Sequence, residues 1–173
     1  INGAGGGVGT FAIQIAKPYG VEATGVDSSG KLDMLRAMGF DHVLDYAQED
    51  FTKKGRHYDL ILDVKTDRSV LDYLRVLSTG GVYVTVGGST ARLTQALLLG
   101  PLVSMVSTKR VRVVPLKPNK ALSYMTELFE AGTIKPMIDG RYRLSEVAEA
   151  MRYFGQGNHK GKIVITVEDE NTA

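Results

Sequence analysis

The stretch Gly3-Ala4-Gly5-Gly6-Gly7-Val8-Gly9-Thr10 decides the fold. It follows a clipped apolar start, Ile1-Asn2, and precedes the amphipathic run Phe11-Ala12-Ile13-Gln14-Ile15-Ala16-Lys17. The order is strand end, glycine turn, helix. Glycines carry no Cβ atoms to hold off a bulky anion. The N–H groups of the turn, with the positive end of the following helix, suit a pyrophosphate. Gly6, Gly7 and Val8 are the expected amide donors, and Gly9 is the expected point of close helix–strand packing. A glycine motif alone is weak evidence. Here an acid, Asp27, ends the next strand at the expected spacing of ~20 residues.

Composition narrows the class. A chain of 173 residues, 43% hydrophobic and 23% charged, is long enough to bury a sizeable core. The net charge of +2 is scattered and too balanced to suggest nucleic acid or an anionic membrane as a partner. With no Cys, disulfides and thiolate-bound metals are excluded, which fits a reducing compartment and an expected cytoplasmic location. His42, His57 and His159 lie far apart, so no zinc site is expected. The longest apolar run, 96–106, is interrupted by Gly100-Pro101 and is too short to span a bilayer.

Strands and helices alternate along the chain. Helical periodicity over 8–17 puts Val8, Phe11, Ala12, Ile15 and Ala16 on one face, closed by Pro18 and Gly20. A strand at 21–26 leads through Ser28-Ser29-Gly30 into a helix at 31–38. Strands follow at 42–45 and 58–63. A helix at 69–77 turns its Val70, Leu71, Leu74 and Leu77 inward. Thr79-Gly80-Gly81 then turns into a strand at 82–86. An apolar helix at 93–106 should break near Gly100-Pro101, before the strand Lys109-Arg110-Val111-Arg112-Val113-Val114. This order implies an α/β fold with a doubly wound, mostly parallel sheet. Beyond Pro115 the pattern changes. A helix at 120–131 capped by Asn119, an extended stretch at 134–138, a helix at 146–154 capped by Ser145 and a last strand at 161–167 precede a polar tail, 168–173, expected to fray.

One feature is anomalous. The strand that should enter the glycine turn is central in such a sheet, yet only Ile1 and Asn2 represent it. A gap there would cost more than the ~5–15 kcal/mol by which domains are stable. The chain is therefore expected to be part of a longer protein, or another segment must fill the gap.

Three stretches together carry a family resemblance: Asn2 to Thr10, Asp41-His42-Val43-Leu44-Asp45-Tyr46 and Gly161-Lys162-Ile163-Val164-Ile165. The chain resembles the medium-chain dehydrogenase/reductase superfamily, and within it the zinc-independent quinone oxidoreductase-like branch, often labelled zinc-type alcohol dehydrogenase-like. The likeness covers almost the whole chain. The strict G-x-G-x-x-G pattern is not met, since Ala4 holds its first position. The spacing Gly3-x-x-Gly6-x-x-Gly9 resembles the quinone oxidoreductase form. The resemblance implies a Rossmann-type dinucleotide-binding domain over 1–115. It implies a return segment over 116–173 that packs on an N-terminal catalytic domain absent from this sequence. It further implies hydride transfer from NAD(P)H to a quinone, enone or related carbonyl compound, without zinc, and a homodimer formed through the Lys109–Val114 edge strand.

The coenzyme reading stays open between two choices. Asp27 can accept hydrogen bonds from both adenosine ribose hydroxyls, which favours NADH, and its charge repels a 2′-phosphate. Ser28, Ser29 and Lys31 oppose this. The resemblance places Lys31 and Tyr46 around the 2′-phosphate of NADPH; their alternatives are a solvated lysine and an edge-strand aromatic. NADPH is the first choice and NADH the second. Gly87-Gly88-Ser89 ends a strand where the nicotinamide should lie. The loop Val64-Lys65-Thr66-Asp67 occupies the matching place after the preceding strand, where the family usually has glycine; Lys65 either touches ribose or is solvated. Asp45, Asp59 and Asp63 read as caps or helix partners, and no residue earns a catalytic label. His159 either approaches the cofactor or sits solvated in a loop. Two other classes fit parts of the pattern: a methyltransferase using S-adenosylmethionine, which needs a terminal antiparallel strand, and a non-catalytic nucleotide sensor.

Overall fold

The computed structural model describes residues 1–115, 117 and 119–167. The tail 168–173, expected to fray, lies outside the described residues. Helix α1 (Gly7–Ala16) leaves the glycine turn, and β1 (Thr24–Asp27), α2 (Leu32–Ala37) and β2 (His42–Asp45) follow. Next come β3 (Tyr58–Asp63), α3 (Val70–Arg75), β4 (Leu77–Thr85), α4 (Thr90–Val106) and β5 (Arg110–Val113). The remainder is α5 (Leu122–Glu130), β6 (Ile138–Arg143), α6 (Val147–Gly155) and β7 (Lys162–Thr166).

Every described strand pair is parallel. Asn2 alone joins the β2-β1 pair to the β3-β4-β5 sheet, bridging Val26 on one side and Asp63 on the other. Its backbone does the work of a strand. Asn2 N–H donates to the Leu62 carbonyl at 2.9 Å, Val64 N–H to the Asn2 carbonyl at 2.9 Å, and Val26 N–H to the Ile1 carbonyl at 2.9 Å. Thr24 and Val26 of β1 and Tyr58, Leu60 and Ile61 of β3 line a slot beside Ile1 and Asn2.

Two apolar clusters hold the helices to the sheet. Ile13, Leu35, Phe40, Ala4 and Ala23 form one. Phe51, Tyr73, Tyr83, Ile61, Leu77, Val76 and Val26 form the other. Gly25 makes the first possible: a Cβ there would sit 2.9 Å from the Phe40 ring. Burying a side chain such as Ile13 completely stabilises the fold by ~2–3 kcal/mol.

Several local expectations are corrected. The buried face of α1 is Gly9, Thr10 and Ile13, while Val8 is exposed. The turn geometry sets the helix rotation, and the surrounding apolar residues left the face ambiguous. The third helix ends at Arg75, and Leu77 already belongs to β4, which runs through Gly80-Gly81 by pairing with Tyr58. Leu71, expected inward, is exposed. Helix α4 is unbroken, with Pro101 inside it. Gly100 is buried against Val111 of β5, so packing holds the helix across the one hydrogen bond that proline removes. The extended stretch is placed later than expected, as β6 at Ile138–Arg143. Arg143, not Ser145, precedes the last helical segment, its N–H donating to the Glu146 carboxylate at 2.8 Å.

Candidate dinucleotide site

Parallel pairing brings the carboxyl ends of the strands to one edge. Asp27 aligns with Asp45, and Asp63 aligns with Thr85, which aligns with Val113. The glycine turn opens onto this edge. Gly3 takes φ +84°, a left-handed conformation that favours glycine. Gly3 and Ala4 N–H both donate to the Val26 carbonyl. Gly6 N–H donates back to the Gly3 carbonyl at 3.3 Å, and Thr10 N–H is the first to bond within the helix, to the Gly6 carbonyl at 3.0 Å. The orphan amides of the helix start are therefore Gly7, Val8 and Gly9. Of Gly6, Gly7 and Val8, the expected donors, Gly6 N–H closes the turn onto Gly3, while Gly7 and Val8 N–H have no main-chain partner among the described residues. Gly9 packs as expected: a Cβ there would collide with the Ala4 carbonyl.

Three lysines lie across this turn. A Cβ on Gly5 would sit 2.6 Å from Lys31 Cδ, one on Gly7 2.5 Å from Lys162 Nζ, and one on Gly3 3.3 Å from Lys65 Cγ. Alternate glycines make room for lysine stems from three distant parts of the chain. Lys162 was missed by sequence reasoning. The only signal was the Gly161-Lys162 pair at the start of the last strand. That strand is docked directly: Gly161 N–H donates to the Gly5 carbonyl at 2.8 Å, and Gly6 bridges Gly161 in parallel.

Asp27 and Lys31 do not face solvent. Their side chains are each 5% exposed, with Nζ to Oδ1 at 3.4 Å. Asp27 Oδ2 accepts from Gly5 N–H at 2.8 Å and Oδ1 from Ser28 N–H at 2.9 Å. The carboxylate is turned toward the glycine turn, and each of its oxygens already has a donor. Ser28, Ser29 and Tyr46 gather at the same strand ends. Tyr46 N–H donates to the Asp27 carbonyl at 3.1 Å, while Ser29 and the Tyr46 ring are exposed.

On the other side of Asn2, Asp63 is fully buried and both of its carboxylate oxygens accept hydrogen bonds. Oδ1 accepts from Asn2 Nδ2 at 2.9 Å, Lys65 N–H at 3.1 Å and Thr66 N–H at 2.9 Å, and Oδ2 accepts from the Tyr83 hydroxyl at 2.8 Å. Burial and then the Asp63 charge push the Tyr73 and Tyr83 phenols far above their ordinary pKa, so both remain protonated. Their rings stack at 4.4 Å. Asp63 thus caps the loop that carries Val64 and Lys65. Val64 N–H is held by Asn2, and Thr66 Oγ1 bonds the Gly87 carbonyl. Gly88, at φ +121°, packs so closely on the Lys65 carbonyl that no side chain fits there.

His159 is neither freely solvated nor paired. Its ring stacks on Phe154 at 4.5 Å, and its Nδ1 is buried without a hydrogen-bond partner. Burial, then the Lys31 charge, hold its pKa below 6.5. Among the described residues no group of three His, Cys, Asp or Glu side chains is placed to hold a metal ion. No described helix is long and apolar enough to cross a membrane.

Residues 38–165 match the family model described as zinc-binding dehydrogenase. The chain belongs to that family. The zinc-binding dehydrogenase match covers most of the chain, as the coenzyme-binding portion of a quinone oxidoreductase-like member of the medium-chain dehydrogenase/reductase superfamily. It brings a nicotinamide coenzyme site with it. Among curated relatives, the chain is 33% identical over 189 residues to the mitochondrial NAD(P)H oxidoreductase RTN4IP1 of Mus musculus. That match covers 96% of this chain and 47% of the relative. It is also 33% identical over 174 residues to the mycoketide-CoA synthase of Mycobacterium tuberculosis, covering 92% of this chain and 4% of that protein. Among solved structures, the quinone oxidoreductase from Coxiella burnetii superposes with a TM-score of 0.79 at 24% identity, over 96% of this chain and 51% of that one. That likeness speaks for the fold. The chain thus spans about half of the mouse relative's length or less. The all-parallel order and the family membership leave the methyltransferase alternative without support.

Proposed function

We propose that this chain is the coenzyme-binding half of an NADPH-dependent oxidoreductase that reduces a quinone, an enone or a related carbonyl compound. The observation that carries the reading is the free N-terminus of α1, with the Gly7, Val8 and Gly9 amides open and the Lys162 ammonium beside Gly7. That arrangement suits the diphosphate of a dinucleotide. When bound, the coenzyme supplies a hydride from its nicotinamide ring to an electrophilic carbon. The chain's own residues orient and screen. The α1 amides and Lys162 hold the diphosphate, and Gly87 and Gly88, with the Val64 loop, form the floor under the nicotinamide.

NADPH is preferred to NADH in this reading. Support comes from Ser28, Ser29 and Tyr46 at the adenosine end, and from Asp27, whose charge is compensated by Lys31 and turned inward. Residues 1–115 then form the dinucleotide domain and 116–173 the segment that returns to an N-terminal catalytic domain, which together with this half encloses the substrate. A homodimer through the β5 edge, with its alternating Val111 and Val113, belongs to the same proposal. So does a cytoplasmic location, which cell fractionation tests.

Calorimetric titration with NADPH, NADH and S-adenosylmethionine side by side tests the reading. NADPH is expected to bind most tightly, NADH more weakly and S-adenosylmethionine not at all. No heat with either nicotinamide coenzyme, on a folded sample, refutes it. A monomeric mass by light scattering at micromolar concentration refutes the dimer alone.

A further inference from the structure

We infer that Lys65 is a coenzyme-positioning residue, gripping the phosphate on the nicotinamide side of the dinucleotide diphosphate. The inference rests on the proposed coenzyme reading and deepens it. Its main chain is fixed at both ends of the site. Its N–H is held by the buried Asp63 carboxylate at 3.1 Å, and its carbonyl lies hard against Gly88. From that base the side chain crosses Gly3. Cγ and Cε lie 3.3 and 3.9 Å from where a Gly3 Cβ would be, so the stem runs over Gly3 in close contact. The residue thus spans from the nicotinamide floor to the phosphate turn.

The other two lysines on the turn have distinct positions. Lys31 is spent on Asp27. Lys162 sits at Gly7, beside the helix amides. Lys65 is exposed and pairs with no carboxylate among the described residues. A diphosphate anchored at the α1 N-terminus and running toward Gly87 must pass Gly3, where Lys65 is the nearest side-chain cation. His159 agrees with this picture. It feels the Lys31, Lys65, Asp27 and Asp139 charges together, which puts its ring close to the lysines of the turn.

The test compares the whole coenzyme with its adenosine half: adenosine 2′,5′-bisphosphate if NADPH binds, AMP if NADH binds. Lys65→Met keeps the stem and removes the charge. It is expected to weaken the whole coenzyme about tenfold, as loss of one charge-assisted hydrogen bond does, and to flatten the salt dependence of binding. The adenosine half, which lacks the nicotinamide-side phosphate of the diphosphate, is expected to bind as before. Lys65→Arg is expected to restore most of the loss. Unchanged coenzyme affinity in Lys65→Met, or an equal loss for the adenosine half, overturns the inference and leaves the coenzyme reading standing. Failure of the unaltered chain to bind any coenzyme overturns both.

Discussion

Asp27 and Lys31 are two charges taken out of water together, and their compensation is local. The carboxylate has two backbone donors as well as the ammonium. Desolvating such a pair costs about as much as the attraction returns, so the pair contributes little net stability, but breaking it strands a buried charge. Lys31→Met is expected to destabilise the fold by about 3 kcal/mol in urea denaturation. Adding Asp27→Asn to it should recover a large part of that loss. Lys31 looked like a first-turn surface residue or a phosphate ligand in the sequence, because a helix start after Ser-Ser-Gly normally faces solvent. The side chain folds inward instead because Gly5 leaves a trough for its stem. A residue-scale reading cannot see a trough made by a glycine so far upstream.

At the scale of elements, the docking of β7 on the glycine turn matters most. Gly161 has φ +72°, and a Cβ there would collide with the Met137 carbonyl. Gly161→Ala is expected to cost about 2–3 kcal/mol and to lower coenzyme affinity, since it moves Lys162 away from Gly7; thermal denaturation and titration read the two effects. The loop before β7 is tied down by Asp139, which accepts from the Tyr153 hydroxyl at 2.6 Å and from Lys160 N–H at 3.0 Å. Partial burial pulls the Asp139 pKa up, but these donors outweigh it and hold the pKa below 3.8. The folded pKa is below the unfolded one, so this tie contributes fully above pH 3.8 and is lost as pH falls through the folded value. Hydrogen exchange is expected to show residues 156–161 loosening in acid before the parallel sheet does, and Asp139→Asn should show that loosening already at neutral pH. The strand–helix alternation was legible in the sequence wherever apolar period and turn residues agreed. It failed where packing overrode a local signal. Pro101 did not break α4, whose Gly100 packs on Val111, and Gly80-Gly81 did not start a new strand, because Leu77 already pairs with Tyr58 and the strand continues through a register shift to Val82.

Across the whole molecule, the sheet is two parallel pieces joined by Asn2. A ligand that sits on the glycine turn touches the loops of both pieces and should stiffen the join. At a hundredfold excess over its dissociation constant, a coenzyme stabilises the folded state by ~2.7 kcal/mol. For a chain of 173 residues that is a rise of roughly 5–10 °C in Tm. Differential scanning fluorimetry with NADPH is expected to show it, and equal shifts with an unrelated nucleotide such as CTP would assign the effect to non-specific anions.

The sequence by itself determined the α/β class, the parallel sheet and the place of the glycine turn at the start of α1, because these depend on neighbours within a few residues: period, caps and missing Cβ atoms. Only the tertiary structure decided that Lys31, Lys65 and Lys162 meet on Gly5, Gly3 and Gly7, that Asp27 turns inward, and which face of α1 is buried. Those facts depend on the direction of side chains that arrive from distant strands, and no local pattern encodes where two such chains cross.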